Sequence, residues 1–168
     1  NIEFLKANGI EPNNEWDWET VIENGKKVQA KDSSKYLMYN ISEHWVYLVK
    51  TMLKQINGNT ILNSDYTLGF SKEDIMSVFD YIKRLVETKT IPPFEEGVLY
   101  ENVYADQNPN WLNQSFGVFP TSSSLIPGIT SASNFELDVL RYPVLKDAKD
   151  PGILVTPSVF ITVYENSK

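Results

Sequence analysis

Cysteine is absent from this chain of 168 residues, and histidine occurs only once, at His44. Without cysteine the chain has no disulfide, no thiol nucleophile and no zinc–thiolate site. One histidine cannot form a metal site alone, so we expect neither a metal nor a cofactor. The missing cystine does not identify the compartment, because many secreted bacterial proteins also lack it.

Basic charge and long apolar runs are also scarce. The chain has 15 Lys and Arg residues and 22 Asp and Glu residues. No basic cluster is longer than a pair such as Lys26-Lys27. A surface that neutralises phosphates is therefore not supported, and we expect no nucleic-acid partner. No apolar run of about 18 residues is present, so the sequence predicts no membrane-spanning helix. A hydrophobic share of 42% instead indicates a folded domain.

The first forty residues contain signals for both helix and strand. Residues 1–9 predict a short helix that ends at Gly9. Asp17 is the predicted N-cap of a second helix, because apolar residues follow it at helical spacing. Residues 36–39 are apolar or aromatic and are bounded by polar residues, which predicts a strand buried on both faces.

Two longer helices are predicted next. Ser42 is the predicted cap of the first, whose apolar side chains from Trp45 onward recur at positions i, i+3, i+4, i+7 and i+11 until Gly58 ends it. Ser71 with Asp74 three residues later resembles a capping box that opens the other helix. The Ile-Pro-Pro sequence at 91–93 ends that helix, because proline lacks the N–H donor.

The second half of the chain contains one short helix and three strand candidates. Asn108-Pro109 is typical of an N-cap followed by proline at the first helical position. Residues 116–120, 137–142 and 159–163 are the strand candidates. Together these elements predict one α/β lobe, with a short mixed sheet flanked by helices.

Several segments resemble a known family when they are taken in order. Residues 1–12, which read NIEFLKANGIEP, and Trp16-Asp17-Trp18-Glu19 resemble the interlobe crossing of extracellular solute-binding proteins of family 1. These are the sugar-type receptors of ABC importers. The Asn57-Gly58-Asn59 helix end, the Pro-Pro at 92–93 and the strand at 116–120 follow in the family's order.

The last part of the chain continues this resemblance. Residues 140–145 resemble the family's strand exit, and residues 159–168 resemble its return strand ending in Asn-Ser-Lys. The chain departs from the family at Gln114-Ser115, where the family has Gly-Lys, and at 121–124, where it often has a Gly-Ser-Trp turn. In the family another helix follows the return strand, which indicates that this chain is truncated.

The resemblance implies a fold and a function. Residues 1–15 would cross between lobes, and residues 16–168 would form a single α/β lobe of a two-lobed, periplasmic-binding-protein-like fold of class II. The complete protein would be a lipid-anchored cell-surface or periplasmic receptor. It would capture a mono- or oligosaccharide and deliver it to the permease subunits of an ABC transporter. Ligand binding would favour closure of the hinge between the lobes, with no chemical reaction.

Candidate ligand-binding residues follow from this placement, because the family and open α/β sheets hold ligands at the carboxyl ends of strands. Polar side chains near these ends can bond sugar hydroxyls, and tryptophan rings can cover sugar C–H faces. The candidates are Asn40, Ser42, His44, Trp45, Trp111, Thr121, Ser122, Ser123 and Ser124. For Ser42 a helix cap, for His44 a surface imidazole, and for Trp45 and Trp111 core packing remain alternatives.

Two other functions remain as alternatives. The runner-up is a carbohydrate-binding or sensory module outside transport, and a glycoside hydrolase comes third. A glycoside hydrolase needs a pair of carboxylates, which Glu95-Glu96 or Glu101 with Asp106 would have to supply. Acidic residues in such a loop are usually a solvated surface, and the serines at 122–124 lack the glycines of a nucleophile elbow. We therefore predict no catalytic residue.

Overall fold

A computed structural model describes residues 1–40, 42–59, 61–100 and 103–151. The helices in these residues are α1 (Ile2–Ala7), α2 (Trp18–Lys31), α3 (Ser42–Asn57), α4 (Lys72–Glu87), α5 (Phe94–Val98), α6 (Pro109–Leu112) and α7 (Ile126–Ala132). The strands are β1 (Tyr36–Met38) and β2 (Phe116–Val118). Single turns of 3₁₀ helix occupy Ala105–Gln107 and Ser123–Leu125.

The two strands pair in parallel. Tyr36 lies opposite Phe116, and Met38 lies opposite Val118. The N–H of Tyr39 extends this pairing by donating to the carbonyl of Val118 at 3.1 Å. Because the strands are parallel, their carboxyl ends lie at the same edge of the sheet. The segment that leads into α3 and the polar turn at 121–124 therefore start from one edge.

Two clusters of buried side chains stabilise the fold. The larger cluster contains side chains from α1, α2, β1, α3 and α4. It includes Trp18, Leu37, Met52 and Leu85, each no more than 1% exposed. Its members on α2, α3 and α4 recur at the helical spacing that the sequence predicts. The smaller cluster is largely aromatic and consists of Tyr39, Ala105, Trp111, Phe116, Ile129 and Phe135. Apolar burial in both clusters holds the short sheet among the helices.

Local hydrogen bonds fix the predicted helix starts. The Asp17 carboxylate accepts the N–H of Thr20 at 2.6 Å at the start of α2. Ser71 and Asp74 form the predicted capping box of α4, with bonds of 3.1 and 2.9 Å. The helix α3 begins at Ser42 itself, so the residue predicted as its cap lies inside the first turn. The side chain of Ser42 lies outside the described part of the structure.

One predicted strand is wrong, and another falls outside the described residues. Residues 137–142 form no strand, because no neighbouring strand lies beside them in the described part of the chain. Their backbone bonds elsewhere: the N–H of Arg141 donates to the Asn14 side chain at 2.7 Å. Val144, just beyond, makes an isolated parallel bridge with Asp17. The strand predicted at 159–163 lies outside the described residues.

Replacing Gly25 in α2 tests the packing between this helix and Thr90. An added Cβ would lie 2.6 Å from the Thr90 Cβ, and Thr90 is fully buried. We expect Gly25→Ala to lower the free energy of unfolding by about 1–3 kcal/mol, because the site is already full. Urea unfolding followed by circular dichroism measures this change.

Gly128→Ala in α7 is the matched control. An added Cβ there would lie 3.5 Å from the Asp106 carboxylate, which is an ordinary contact. Alanine is the better helix former, so stability should stay constant or rise by up to about 1 kcal/mol. Equal destabilisation by the two substitutions would contradict the packing explanation.

Candidate functional site

The carboxyl ends of β1 and β2 bring together most of the predicted site residues. We call this region the sheet edge and define it by Asn40, His44, Trp45, Phe119 and residues 121–124. Asn40 follows β1, whereas Phe119 follows β2. The His44 and Phe119 rings join the two sides, because they meet edge to face with centroids 5.1 Å apart.

Asn40 is the most unusual residue of the sheet edge. It is only 2% exposed, and neither its Oδ1 nor its Nδ2 has a hydrogen-bond partner. A buried amide without partners costs about 1–3 kcal/mol. Such a cost is uncommon in folded proteins, where most buried polar atoms are bonded. The amide of Asn40 is thus able to gain both a donor and an acceptor from an incoming group.

Trp45 lies in the first turns of α3 and is half-buried. Its indole N–H is buried and has no hydrogen-bond acceptor. The ring lies 6.1 Å from the ring of Phe94, measured between centroids, and Phe94 is half-exposed. These two rings form an aromatic surface beside the sheet edge, the kind of surface against which the C–H faces of a sugar can pack.

The turn at 121–124 supplies exposed hydroxyl groups. The Ser122 and Ser124 hydroxyl oxygens lie 2.9 Å apart and share a hydrogen bond. Ser123 begins the 3₁₀ turn at Ser123–Leu125. Each hydroxyl can both donate and accept, so this turn can bond polar groups of either kind.

Trp111 is buried, whereas a ring that packs against a ligand must have an exposed face. It is 3% exposed, and its indole N–H donates to the Ser133 hydroxyl at 2.9 Å. Its ring packs against Phe116 and Phe135, with centroids 5.3 and 5.2 Å away. Both faces of the ring are therefore unavailable to a ligand in this conformation. Trp111 instead packs against Phe119, a residue of the sheet edge, with ring centroids 6.2 Å apart.

Two tyrosines of the first strand segment bond to α5. The Tyr36 hydroxyl donates to the Glu96 carboxylate at 3.1 Å, and the Tyr39 hydroxyl donates to the Glu96 backbone carbonyl at 3.3 Å. Burial raises the pKa of Tyr39 to about 12. Burial and the nearby Glu96 carboxylate also raise the pKa of Tyr36. Both phenols therefore keep their protons at neutral pH and hold α5 beside the strand.

Sequence reasoning missed the contributions of Phe94 and Phe119 to the sheet edge. Phe119 was detectable, because it directly precedes the polar turn that the strand-tip argument selects. Phe94 carries no such signal, since its contact with Trp45 joins two segments that are distant in sequence. Long-range contacts of this kind are set by tertiary packing.

The acidic residues considered for hydrolysis do not form a described catalytic pair. The Glu96 carboxylate accepts a bond from Tyr36, and Glu101 lies outside the described residues. Among the residues with described positions, no three His, Cys, Asp or Glu side chains gather into a metal site. No helix in the same part of the chain has the length and apolar character needed to span a membrane.

Comparison with solved structures identifies the fold. The periplasmic solute binding protein ECA2210 from Pectobacterium atrosepticum SCRI1043 matches 90% of this chain over 38% of its own, with a TM-score of 0.77 and 16% identity. An extracellular solute-binding protein of family 1 from Alicyclobacillus acidocaldarius matches 89% over 36%, with a TM-score of 0.71 and 15% identity. This chain has the fold of one lobe of a solute-binding protein.

A third similar structure contains an oligosaccharide. The ABC substrate-binding protein Lmo0181 from Listeria monocytogenes, in complex with cycloalternan, matches 87% of this chain over 36% of its own, with a TM-score of 0.63 and 19% identity. This chain thus spans 36–38% of the length of these three proteins. Two designed esterases share the fold as well. No protein-family model and no curated protein matches the sequence.

Asn40→Leu tests whether the unpaired amide of Asn40 lowers the free energy of unfolding. Leucine has a similar size and no polar atoms, so we expect it to raise the free energy of unfolding by about 1–3 kcal/mol. Urea unfolding of the ligand-free chain measures the difference.

Asn108→Leu is the control for this substitution. Asn108 is equally buried and its Nδ2 likewise has no partner, but its Oδ1 caps α6 by accepting the N–H of Asn110 at 2.9 Å. Loss of this cap should lower the free energy of unfolding by about 0.5–2 kcal/mol. If Asn40→Leu also destabilises the chain, the amide has a structural partner and is not a free binding group.

Proposed function

We propose that this chain is one lobe of an extracytoplasmic solute-binding protein of family 1 that captures carbohydrate for an ABC importer. The observation that carries this proposal is the unpaired amide of Asn40 at the carboxyl end of β1, on the segment that leads into α3 and Trp45. The fold supports solute capture, and the oligosaccharide in the similar Listeria protein supports a carbohydrate.

The chemistry of the sheet edge matches a sugar. Each sugar hydroxyl can donate and accept at once, as the amide of Asn40 requires. The Trp45 ring offers an apolar face, and the hydroxyls at 121–124 offer further bonds. The amide atoms of Asn40 are covered in this conformation, so ligand contact requires rotation of that side chain or displacement of its neighbours.

The segments that would connect the two lobes lie side by side. The Asn14 side chain accepts the N–H of Arg141 at 2.7 Å, and the carbonyl of Trp16 accepts the N–H of Val144 at 3.3 Å. We propose that the chain crosses between the lobes at residues 11–15 and 137–144, which together form the hinge, whereas α1 packs within this lobe through Phe4 and Leu5. A ligand held between the lobes would then favour the closed form, which a permease recognises.

This proposal includes a location and a partner. An ABC receptor works outside the cytoplasm, either in the periplasm or lipid-anchored at the cell surface, and its partner is the permease. We also propose that the lobe is not an enzyme. The carboxylate of Glu96 is engaged by Tyr36, and the chain has no cysteine to act as the nucleophile of the cysteine esterase that shares its fold.

A titration of the chain followed by two-dimensional amide NMR tests the proposal. The probes are glucose, maltotriose and cycloalternan at millimolar concentration. A receptor with micromolar affinity has about −8.2 kcal/mol of binding free energy, and one lobe that supplies half of it binds only near millimolar. We expect an oligosaccharide to shift the signals of Asn40, His44, Trp45 and residues 121–124.

Substitutions give this titration its control. Trp45→Ala should abolish the shifts, because it removes the apolar face and the indole N–H. Tyr66→Ala should leave them unchanged, because Tyr66 is an exposed aromatic residue in the loop between α3 and α4, outside the sheet edge. A well-folded chain that responds to no sugar, or that responds equally with and without Trp45, would refute a carbohydrate site at the sheet edge.

A further inference from the structure

Three glycines of the chain directly follow an asparagine, in the pairs Asn8-Gly9, Asn24-Gly25 and Asn57-Gly58. The Cγ of an asparagine side chain is open to attack by the backbone nitrogen of the next residue, and glycine hinders this attack least because it has no side chain. The asparagine must first rotate about its ψ angle, since the ψ of a helix holds that nitrogen away from Cγ. The surrounding structure therefore decides which of the three pairs can react.

Asn24 lies in the middle of α2, where a rotation about ψ would break the helix. Asn24 is 4% exposed, and its Oδ1 accepts a hydrogen bond from the Lys27 side chain at 3.1 Å. The next residue, Gly25, packs closely against the buried Thr90. Reaction at this pair thus requires α2 to open together with the core beneath it, and such an opening costs nearly as much free energy as global unfolding.

Asn8 follows the end of the short helix α1, but the residue after Gly9 is fixed in the core. Ile10 is 2% exposed, and its N–H donates to the carbonyl of Leu5 at 3.0 Å. The N–H of Gly9 donates to the carbonyl of Lys6 at 3.0 Å, so the two bonds form a Schellman motif. A rotation about ψ of Asn8 would pull Ile10 out of the larger buried cluster. This pair is therefore protected as well.

Asn57 is the last residue of α3, and the two residues after it are exposed. Three hydrogen bonds hold this helix end. The Gly58 N–H donates to the Lys54 carbonyl at 2.8 Å, the Asn59 N–H donates to Asn57 Oδ1 at 2.7 Å, and Asn57 Nδ2 donates to the Gly69 carbonyl at 3.0 Å. Neither Gly58 nor Asn59 belongs to a buried cluster. A helix end of this kind opens locally at a low cost in free energy.

We propose that Asn57-Gly58 is a site of spontaneous deamidation, and that it reacts faster in the folded chain than the other two pairs. A solvent base removes the amide proton of Gly58, and the nitrogen forms a bond to Cγ of Asn57. The bond from Cγ to Nδ2 then breaks, and Nδ2 leaves as ammonia after it takes a proton from water. The product is a five-membered succinimide ring.

Water completes the reaction by opening this ring at one of its two carbonyls. Cleavage of the bond from nitrogen to Cγ gives aspartate at position 57, whereas cleavage at the backbone carbonyl gives isoaspartate. The net reaction consumes a water molecule and releases ammonia. It needs no enzyme, and it does not depend on the ligand or the partner proposed above.

Either product would change the contacts between α3 and the start of α4. A carboxylate at position 57 has no N–H to donate to the Gly69 carbonyl. It would also place a negative charge at the C-terminus of α3, which is the negative end of the helix dipole. Asp74 lies close by, since hydrogen bonds from Ser71 and then from the Asn57 side chain lower the pKa of its carboxyl group. Two carboxylates would then repel each other, so the modified chain should be less stable.

Peptide mapping by mass spectrometry compares the three pairs within the same molecule. The chain is incubated at mildly alkaline pH, folded in buffer or unfolded in urea, and the exchange of each amide for a carboxyl group is followed over time. In urea the three pairs should react at similar rates, because their local chemistry is the same. In the folded chain Asn57 should react faster than Asn8 and Asn24 by about tenfold or more. Methylation by a protein isoaspartyl methyltransferase measures the share of isoaspartate.

Two variants test the effect of the product on stability. Asn57→Asp imitates the aspartate product, and we expect it to unfold at a lower urea concentration than the unmodified chain. Asn59→Asp is the matched control, because it adds the same charge at an exposed position two residues further along the chain. The control should shift the midpoint of unfolding less than Asn57→Asp does. Circular dichroism in urea measures both midpoints.

Three results would overturn the proposal. Reaction of Asn8 or Asn24 at the same rate as Asn57 in the folded chain would show that the end of α3 has no special reactivity. A folded chain that keeps Asn57 intact while the unfolded chain reacts would show that the bonds at this helix end protect it. Formation of aspartate without isoaspartate would exclude the succinimide route. Equal unfolding midpoints for Asn57→Asp and Asn59→Asp would remove the predicted effect on stability.

Discussion

Parallel pairing of β1 with β2 is the constraint from which the rest of the lobe follows. The register that sets Tyr36 opposite Phe116 and Met38 opposite Val118 joins two segments from different halves of the chain. It places both strand exits at one edge, which brings His44 against Phe119. An antiparallel pair would send these exits in opposite directions, and the polar turn at 121–124 would lie away from Asn40.

Two buried amides of the lobe, those of Gln55 and Asn40, differ in their hydrogen bonding. The side chain of Gln55 is fully buried and makes three hydrogen bonds: it accepts from Trp18 Nε1 and the Leu145 N–H and donates to the Pro143 carbonyl. Because both polar atoms of this amide are bonded, it stabilises the core and holds residues 143–145 against α2 and α3. The amide of Asn40 is equally buried and makes no such bond. The contrast distinguishes an amide that is bonded within the core from one whose polar atoms have no partner.

Local signals in the sequence predict helix caps correctly, whereas strand pairing and side-chain burial depend on tertiary contacts. The capping box of Ser71 and Asp74 involves residues three apart, so its outcome is visible in the sequence. Residues 137–142 have the apolar composition of a strand, but a strand also needs a neighbour, and the sequence does not show which segment lies beside it. The predicted Trp111 platform depends in the same way on Ser133 and Phe135, which cover and bond it.

Trp45 belongs to the sheet edge and also lines an apolar pocket between α3 and α4, with Val49 and Leu53 among the other lining residues. Its half-buried ring has one neighbouring ring, Phe94, which is itself half-exposed. Packing against the side chains of this pocket would restrict the Trp45 ring before any ligand binds. Restriction in the bound orientation lowers the entropy lost on binding and raises affinity. Packing around Trp45 would thus contribute to ligand affinity along with the polar groups of the sheet edge.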